Sequence, residues 1–517
     1  MPSEMVSSLP TDLVYVHHLD NVDVEVQRPH ASSRVLDLEN YEKAGRSKYP
    51  FVLNGAEMRI LGIAGVGFFL DAYDLFIINQ VSTMFQYEWF GGATLPSGRE
   101  GVLKAGANIG AVIGQFLFGY LGDALGRKRV YGKELMVIIF ATILTISVPA
   151  YFSGLDALTW VTIFRVVLGI GIGGDYPMSA SVSTDRASLR RRGTMLGYIF
   201  SAQGWGSLAG CIVTMVVLAA YKQTMDVHGH VHKVDGVWRI IVGVSLVPAF
   251  ATLYHRLTLP KRRIDPTEKK QSAGATIEKS ASDSSLPRKF TAPKDKKAHF
   301  TAFFHYFKQW RHARVLLATA GCWFLVDIAF YGVNLNSSVL LQRIGFQGKL
   351  GRWYYVTVLT VEYLGRKWIQ IQGFLMTALF LGILAGRFNE LSTIGFCVCF
   401  AFLQFFFNFG ANSTTYMYPA EVFPTKFRST AHGISAASGK AGAIISSLAF
   451  NSLSKKIGTA KVLWSEFFIY FFMAFFAAVC LAGALLSVFL PEVKNRDPDV
   501  VLAEEEEEDR RLGRPIY

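Results

Sequence analysis

The stretch Gly119-Tyr-Leu-Gly122-Asp123-Ala-Leu-Gly126-Arg127-Lys128-Arg129 joins the second and third of a series of long apolar blocks. A related string, Glu362-Tyr-Leu-Gly365-Arg366-Lys367, lies at the matching connection of the second half of the chain. Small residues let helices approach closely, and an aspartate beside cations can form a hinge contact that breaks and re-forms. Two such strings at equivalent positions indicate duplicated halves that rock against each other.

The composition around these strings is that of a membrane protein. Apolar residues make up 51% of the 517 residues and charged residues only 18%, below the roughly 25% of soluble proteins. Many apolar blocks approach the roughly 20 residues that span about 30 Å of hydrocarbon. The net charge is +13. The basic residues lie between the apolar blocks and form no patch interleaved with aromatic residues, which argues against a nucleic-acid partner. We therefore predict an all-α protein that spans the lipid bilayer many times.

Motifs for soluble catalysis are missing from the sequence. We find no His-Glu-x-x-His, no nucleotide-phosphate loop and no nucleophile elbow. The five cysteines lie inside apolar blocks, where small packing residues are expected. The sequence therefore predicts a protein that is not an enzyme and has no metal or other cofactor.

The apolar blocks predict two sets of six spans. Lys and Arg collect on every second connection, so the positive-inside rule predicts cytoplasmic tails and a cytoplasmic linker. The predicted parts are an N-terminal tail 1–50, a first half 51–257, a linker 258–314, a second half 315–490 and an acidic tail 491–517. The first six spans are 58–81, 101–122, 135–153, 159–180, 195–220 and 238–257, and the other six are 315–341, 353–364, 368–384, 394–418, 431–453 and 467–490.

The eighth span is unusually short. Its 12 residues, 353–364, would cover only about 18 Å as a helix. Without a crossing there, every later loop would change sides and reverse the charge asymmetry. We therefore predict twelve crossings with a shortened eighth helix.

Ionisable side chains interrupt several apolar blocks. Asp71 and Asp74 share one face of the first span, and Asp175 lies beside Tyr176 in the fourth. In the seventh span Trp323, Asp327 and Tyr331 form one stripe at a spacing of four. A carboxylate in hydrocarbon costs several kcal/mol unless it faces a cavity or a partner. These residues therefore indicate a functional site, to which four further intramembrane polar residues belong: Arg165, Gln203, Asn412 and Lys440.

Several of these strings resemble those of the fungal and plant phosphate:proton symporters, and the paired glycine-rich strings resemble the signature of the major facilitator superfamily. The strings are Gly169-Ile-Gly-Ile-Gly173-Gly174-Asp175-Tyr176, Ser201 to Gly206, the Trp323 stripe, Glu421-Val-Phe-Pro-Thr425 and Ser429 to Lys440. The resemblance runs from about Phe51 to Asp499 and implies the fold of that superfamily, with 6+6 helices in two pseudo-symmetric halves.

The resemblance also implies roles for individual residues. Phosphate would be bound by Tyr176, Gln203, Trp323, Asp327, Tyr331 and Asn412. Proton coupling or charge balance would fall to Asp71, Asp74, Glu134, Arg165, Asp175 and Lys440. The cytoplasmic gate motif would comprise Gly122, Asp123, Gly126, Arg127 and Lys128.

The chemistry of these residues suits a protonated anion. Phenol, indole and amide groups donate hydrogen bonds to phosphate oxygens, and the Lys440 cation offsets their charge. An ionised Asp327 would repel the ligand, whereas a protonated Asp327 donates to it. Phosphate and a proton on Asp327 would therefore favour each other's binding. We predict a phosphate importer driven by protons, with Asp71 and Asp74 relaying protons from outside.

Other functions remain open at this stage. Compared with the resembling family, roughly 20 residues are absent between Gly348 and Tyr354, most of a crossing. A non-transporting phosphate receptor, a defective splice or gene-model variant, and a porter of another small anion or a sugar are the alternatives. The resemblance implies a plasma-membrane location, and no oligomeric state is predicted.

Overall fold

Long α-helices dominate the structure, a computed structural model, because the apolar blocks satisfy their backbone hydrogen bonds within each segment. The structure describes residues 53, 55–93, 95–149, 151–187, 191–223, 233–258, 296–334, 364–387, 390–458, 462–494 and 496–513. In the first half the helices are α1 Gly55–Phe76, α2 Ile78–Phe90, α3 Ser97–Leu125, α4 Arg127–Val130, α5 Lys133–Ile146, α6 Gly154–Thr184, α7 Arg192–Lys222, α8 Val234–Gly243 and α9 Leu246–Leu257.

The later helices follow the linker. They are α10 Lys296–Lys308, α11 Trp310–Asn334, α12 Arg366–Arg387, α13 Thr393–Phe406, α14 Ser413–Val422, α15 Arg428–Gly458, α16 Val462–Ser487 and α17 Pro498–Arg511. Each predicted span except the eighth overlaps a helix, although residues 335–341 at the end of the seventh predicted span lie outside the described residues. The eighth span and the shortened stretch at Gly348 to Tyr354 lie outside the described residues.

Among the described residues, nine stretches are long and apolar enough to cross a membrane. The third and eleventh predicted spans are not among them, for different reasons. Helix α5 has only 14 residues. Helix α15 has 31 residues, but it is rich in Ser and Gly because it packs against α3 and α11 inside the bundle. A helix covered by protein needs less apolar surface than one that faces lipid.

Glycines set the close packing of α3 against its neighbours. A Cβ at Gly110 would lie 1.9 Å from the Val166 carbonyl oxygen, and one at Gly173 would lie 2.2 Å from the Ala111 carbonyl oxygen. Both obstacles are backbone and cannot move aside. Helix α3 therefore lies in backbone contact with α6, which carries Asp175 and Tyr176.

The tenth span contains a π-helical segment, Phe407–Asn412, between α13 and α14. Gly410 in this segment meets Gly373 of α12 so closely that a Cβ at Gly373 would lie 2.3 Å from the Gly410 Cα. An extra residue per turn shifts the face that the following side chains present. The segment thereby places Asn412 and α14 against the seventh-span helix α11.

Besides the four-residue α4, two helices lie wholly outside the predicted spans. Helix α10 lies within the predicted linker, which has no reliable helical period, and α17 contains the acidic run 504–509. Leu502 of α17 packs in an apolar cluster with Phe303 and Tyr306 of α10 and with Phe427. Asp509 is buried and accepts a 2.5 Å hydrogen bond from Arg311. The acidic run is therefore only partly exposed to solvent, although its composition favours a fully solvated face.

Candidate functional site

Lys440 of α15 lies at the centre of the predicted binding residues. Its ammonium donates a 2.5 Å hydrogen bond to the Tyr331 hydroxyl and lies 3.4 Å from Asp327 Oδ2. It also lies 5.3 Å from the ring centroid of Tyr176, which belongs to the other half. Lys440 and Asp327 are each at most 2% exposed. An ion pair and two aromatic rings from both halves therefore meet around one buried cation.

Aromatic rings and one amide extend this cluster towards the first half. Gln203 of α7 donates a 2.7 Å hydrogen bond to the Tyr176 hydroxyl. The ring centroids of Tyr176 and Trp323 are 6.2 Å apart. A Cβ at Gly439 would lie 2.3 Å from Trp323, so this glycine allows the indole to lie flat against α15. Five of the six predicted phosphate ligands are thus brought together.

Asn412, the sixth, is buried at the end of the π-helical segment. Its amide nitrogen lies 3.3 Å from Asn408 Oδ1, in a contact within its own segment. Because that segment packs on α11, which carries Trp323, Asp327 and Tyr331, Asn412 borders the cluster from the side of the tenth span.

A second charged cluster surrounds Arg256, at the end of α9. Its guanidinium donates to both oxygens of Asp175, at 2.8 and 3.0 Å, and lies 3.1 Å from Glu134 Oε1. Glu134 also accepts from the Gly132 backbone N–H at 2.7 Å. The side chains of Arg256, Asp175 and Glu134 are 0% exposed. This bidentate pair is the geometry in which a guanidinium best holds a buried carboxylate.

Asp71 lies near this cluster without joining it. It is 0% exposed, and neither of its carboxyl oxygens has a hydrogen-bond partner among the described residues. Asp175, Arg256 and Glu134 lie within electrostatic range of it. A carboxyl group in this setting is unstable as an anion, so Asp71 is chemically suited to carry a proton.

Asp74 and Arg165, two further residues predicted for proton coupling or charge balance, both line a small cavity. The cavity has a volume of about 20 Å³ and is also lined by Thr142 and Thr145. Arg165 donates to the backbone oxygens of Leu103 and Asp74 at 3.3 Å each. Asp74 and Arg165 are thus held beside each other through the backbone of α1.

The predicted gate motif forms a latch, defined here as the contacts of Asp123, Arg127 and Asp185 with the start of α15. Asp123 accepts from the Ser429 and Thr430 backbone N–H groups at 3.2 and 2.7 Å. Arg127 donates to the Thr425 carbonyl at 2.7 Å and also pairs with Asp185. Asp185 in turn pairs with Arg428 at 2.8 Å. The latch joins the two halves at the loops rich in Lys and Arg.

The remaining motif residues have structural roles. Gly126 has φ +91°, a conformation that favours glycine. A Cβ at Gly122 would lie 2.8 Å from Met178 Sδ and 3.3 Å from Ser429 Cβ. Lys128 is exposed. The two glycines therefore shape the turn and the helix contact that bring Asp123 and Arg127 to α15.

The related string of the second half makes different contacts. Arg366 pairs with both oxygens of Glu421 at 2.8 and 3.0 Å, and its backbone N–H lies 3.1 Å from Glu492. Arg366 and Glu421 belong to the second half, and Glu492 to the tail that directly follows it. One copy of the motif therefore bridges the halves, whereas the other closes on itself.

Sequence reasoning missed three residues of these clusters. Arg256 lies at the end of the sixth predicted span, where a basic residue fits the positive-inside rule and indicates no further role. Tyr416 and His432 are 0% exposed and pack their rings against Trp323, at centroid distances of 6.4 and 5.5 Å. A histidine within an apolar block was a signal for the last of these. Within the described segments, no group of three His, Cys, Asp or Glu side chains is placed to hold a metal ion.

The helical bundle, its paired motifs and the buried charges between its halves define a membrane transporter with the major facilitator superfamily fold. The chain belongs to the family described as Sugar (and other) transporter, whose pattern matches residues 61–499. The proton:xylose symporter XylE, bound to 6-bromo-6-deoxy-D-glucose, shares the fold with a TM-score of 0.67 at 18% identity, over 87% of this chain and 100% of its own.

Several other proteins are considerably more similar to this chain in sequence than XylE is. A Schizosaccharomyces pombe protein is 42% identical, over 89% of this chain and 90% of its own length. The inorganic phosphate transporter PHO84 of Saccharomyces cerevisiae is 37% identical, over 85% of this chain and 83% of its own length. The repressible high-affinity phosphate permease of Neurospora crassa is 34% identical, over 85% of each chain.

Proposed function

We propose that this protein imports inorganic phosphate together with protons by alternating access, through the site around Lys440. The observation that carries the proposal is the meeting of Tyr176 and Gln203 from one half with Asp327, Tyr331 and Lys440 from the other. The names of the relatives above support phosphate as the substrate. A plasma-membrane location and cytoplasmic tails belong to the same proposal.

The proposed ligand is chemically matched to these side chains. An anion can accept from the Lys440 ammonium, from the Tyr331 and Tyr176 hydroxyls and from the Gln203 amide. Lys440 now lies between Asp327 and Tyr331, so phosphate would exchange one of these contacts for its own oxygens. Because Asp327 already neutralises the charge of the buried Lys440 ammonium, the site does not attract every anion strongly.

Proton coupling would arise from the competition of phosphate and Asp327 for Lys440. With Asp327 ionised, the ammonium is neutralised by the carboxylate and attracts an anion weakly. Protonation of Asp327 releases the cation for phosphate and adds a hydrogen-bond donor. The reciprocity of linked equilibria then requires bound phosphate to favour that proton. Asp71 and the Arg256 cluster would deliver it from the first half.

Alternating access requires a contact between the halves that can open. The latch of Asp123, Arg127 and Asp185 with the start of α15 meets this requirement, since the contacts that define it are hydrogen bonds and ion pairs, which side chains make with each other or with backbone groups. With the latch formed, the cytoplasmic end of the Lys440 site is closed. Opening it would release phosphate into the cytoplasm.

The proposal is tested by uptake of labelled phosphate into proteoliposomes with and without an inward proton gradient. We expect accumulation that requires the gradient and is lost in Lys440→Gln, whose side chain lacks the charge. Lys367→Gln, at the membrane edge of the second half, is the matched control and should transport normally. Phosphate binding without uptake would instead support a receptor. Uptake of a sugar or another anion in preference to phosphate would overturn the substrate.

A further inference from the structure

Among the buried polar atoms that lack a hydrogen-bond partner within the described part of the chain, two belong to rings that contact each other outside the Lys440 site. They are the hydroxyl oxygen of Tyr416 on α14 and Nδ1 of His432 on α15. Both residues are 0% exposed, and their ring centroids are 5.3 Å apart. Leaving such an atom unsatisfied costs about 1–3 kcal/mol. Two of them in one contact suggest a partner that is bound only at another stage of the cycle.

The hydrogen-bonding roles of the two atoms are complementary. His432 Nε2 lies 3.2 Å from the Tyr416 backbone carbonyl oxygen. A carbonyl oxygen can only accept, so Nε2 carries the hydrogen, and Nδ1 of the neutral ring is an acceptor. The Tyr416 hydroxyl can donate. The pair therefore fits a ligand that offers both an acceptor oxygen and an O–H group.

The pair lies between the Lys440 site and the latch. On α15, His432 precedes Lys440 by eight residues, about 12 Å along a helix, and follows Ser429 of the latch by three. Trp323 and Tyr416 both border the Lys440 site, since the ring centroid of each lies 6.2 Å from that of Tyr176, and Trp323 also packs on His432 at 5.5 Å. A ligand moving from Lys440 towards an opened latch would pass Trp323 and meet this pair.

We propose that Tyr416 and His432 form a second subsite, on the cytoplasmic side, that receives a protonated phosphate anion as it leaves Lys440. The Tyr416 hydroxyl donates to one phosphate oxygen, while a P–O–H group donates to His432 Nδ1. Sulfate has no proton at neutral pH and leaves Nδ1 unsatisfied, so the subsite favours phosphate over sulfate. This inference rests on the proposed function as a phosphate transporter.

The experiment compares phosphate entry from the two faces of the membrane. Right-side-out vesicles load the outer face, and inside-out vesicles load the cytoplasmic face. Tyr416→Phe keeps the ring and removes the hydroxyl. His432→Gln keeps a donor that can reach the Tyr416 carbonyl and removes the group at Nδ1. Tyr418→Phe, which removes a 3.0 Å hydrogen bond to the Pro491 carbonyl, is the control for loss of a buried phenol hydroxyl.

We expect Tyr416→Phe and His432→Gln to raise the half-saturating phosphate concentration at the cytoplasmic face about 2–10-fold, the effect of one lost hydrogen bond. Outer-face affinity should stay as in the parent protein and in Tyr418→Phe. In His432→Gln, sulfate should also compete better at the cytoplasmic face. Unchanged cytoplasmic affinity, or equal loss at both faces, would overturn the subsite. A parent protein that neither binds nor moves phosphate would instead defeat the proposed function.

Discussion

Two buried cations between the helices, Arg256 and Lys440, are matched to carboxylates in different geometries. Arg256 holds Asp175 through two hydrogen bonds, and Lys440 faces Asp327 at the longer distance of 3.4 Å. The first pair is bidentate and has the character of a permanent structural contact. The second is a single, longer contact between flexible groups, which a ligand can replace.

Asp327→Asn tests this difference at the second pair. The amide can donate to phosphate but cannot exchange a proton, so phosphate affinity should change by no more than about threefold, within the energy of one hydrogen bond. The dependence of uptake on external pH should be largely lost. Parallel measurement of phosphate binding and of uptake at several pH values separates the two effects. Proton-driven uptake that equals that of the parent protein would refute the role of Asp327.

Gly67→Ala tests the first pair without removing a charge. A Cβ at this position would lie 1.8 Å from Arg256 Nη2 and 1.9 Å from Asp175 Oδ2, so both charged groups must shift and the bidentate geometry is disturbed. Losing one partner of a buried pair costs about 3–5 kcal/mol, which is the upper limit here, and thermal unfolding in detergent should occur at a lower temperature. Gly62→Ala on the same helix meets nothing within 4 Å and should be neutral or slightly stabilising. Similar unfolding temperatures for the two variants would contradict the packing described here.

The predictability of these residues follows from the cost of burying them. Asp71, Asp175 and Lys440 are conspicuous because a charge inside an apolar block needs a reason. Arg256 is hard to recognise from the sequence, since it lies close to basic residues whose positions the positive-inside rule already explains. Tyr416 and His432 are hidden among aromatic neighbours, and only three-dimensional packing reveals that their polar atoms lack partners.

At the scale of helices, the two related strings have unequal tasks in this conformation. Arg127 reaches the loop before α15 in the other half, while Arg366 contacts Glu421 of its own half and Glu492 of the tail that follows. The contact between α3 and α15 is therefore the closure at the latch end. Gly119 and Gly433 permit it, because their Cα atoms face each other across the two helices.

Gly433→Ala should open this closure. Its Cβ would lie 2.3 Å from the Gln115 carbonyl oxygen and 3.3 Å from the Gly119 Cα, which are backbone atoms that cannot yield. A cysteine replacing buried Ser181, in a chain whose five native cysteines are removed, reports access from the cytoplasm. We expect alkylation to rise about tenfold, equivalent to about 1.4 kcal/mol.

Gly382→Ala is the control for this experiment, because its Cβ meets nothing within 4 Å. Alkylation of the Ser181→Cys reporter should stay at the parent rate in that variant. Equal rates in Gly433→Ala and Gly382→Ala would show that the contact between α3 and α15 does not close the pathway.

The docking of α17 should depend on pH. Burial raises the pKa of Glu505, opposed by Arg311 and reinforced by Asp509 and Glu508. Burial also raises the pKa of Glu506, opposed by Lys426 and Arg510. The docked helix therefore binds protons more tightly than the released one, so docking is strongest below the ordinary glutamate value of 4.5 and weakens as the pH rises through the raised values.

Spin labels on α17 and α11 would measure this docking as a distance distribution. We expect the short-distance population to decrease as the pH is raised from acid to neutral. The double variant Glu505→Gln, Glu506→Gln should remove most of that change. A distribution that is the same at all pH values would show that these carboxyls do not control the position of α17.

Helix positions were largely predictable because the apolar blocks are long, and the errors have physical causes. The first span continues through α2 to Phe90, past the predicted end at Val81, because Tyr73, Ile78 and Phe85 pack in one apolar cluster with Trp238 of the sixth span. The π-helical segment depends on the contact between Gly373 and Gly410, which no local pattern reveals. Helices α10 and α17 meet in an apolar cluster with Phe427, which is distant from both in the sequence.

For the whole molecule, the proposed alternating-access movement links two charged centres. The Arg256 cluster belongs to the first half, the Asp327–Lys440 pair belongs to the second, and Tyr176 lies between them, next to Asp175 in sequence and near Lys440 in space. The division into halves, linker and tails remains a prediction from the sequence. The proposed transport cycle requires phosphate and a proton to cross this junction together.

The most direct measurement is the pH of the outer medium when phosphate is added to proteoliposomes without any imposed gradient. If phosphate and protons enter together in the proposed way, the medium becomes alkaline at the rate of phosphate entry, and Asp327→Asn abolishes the change. Entry of phosphate with no change in external pH, or no entry at all, would contradict the account.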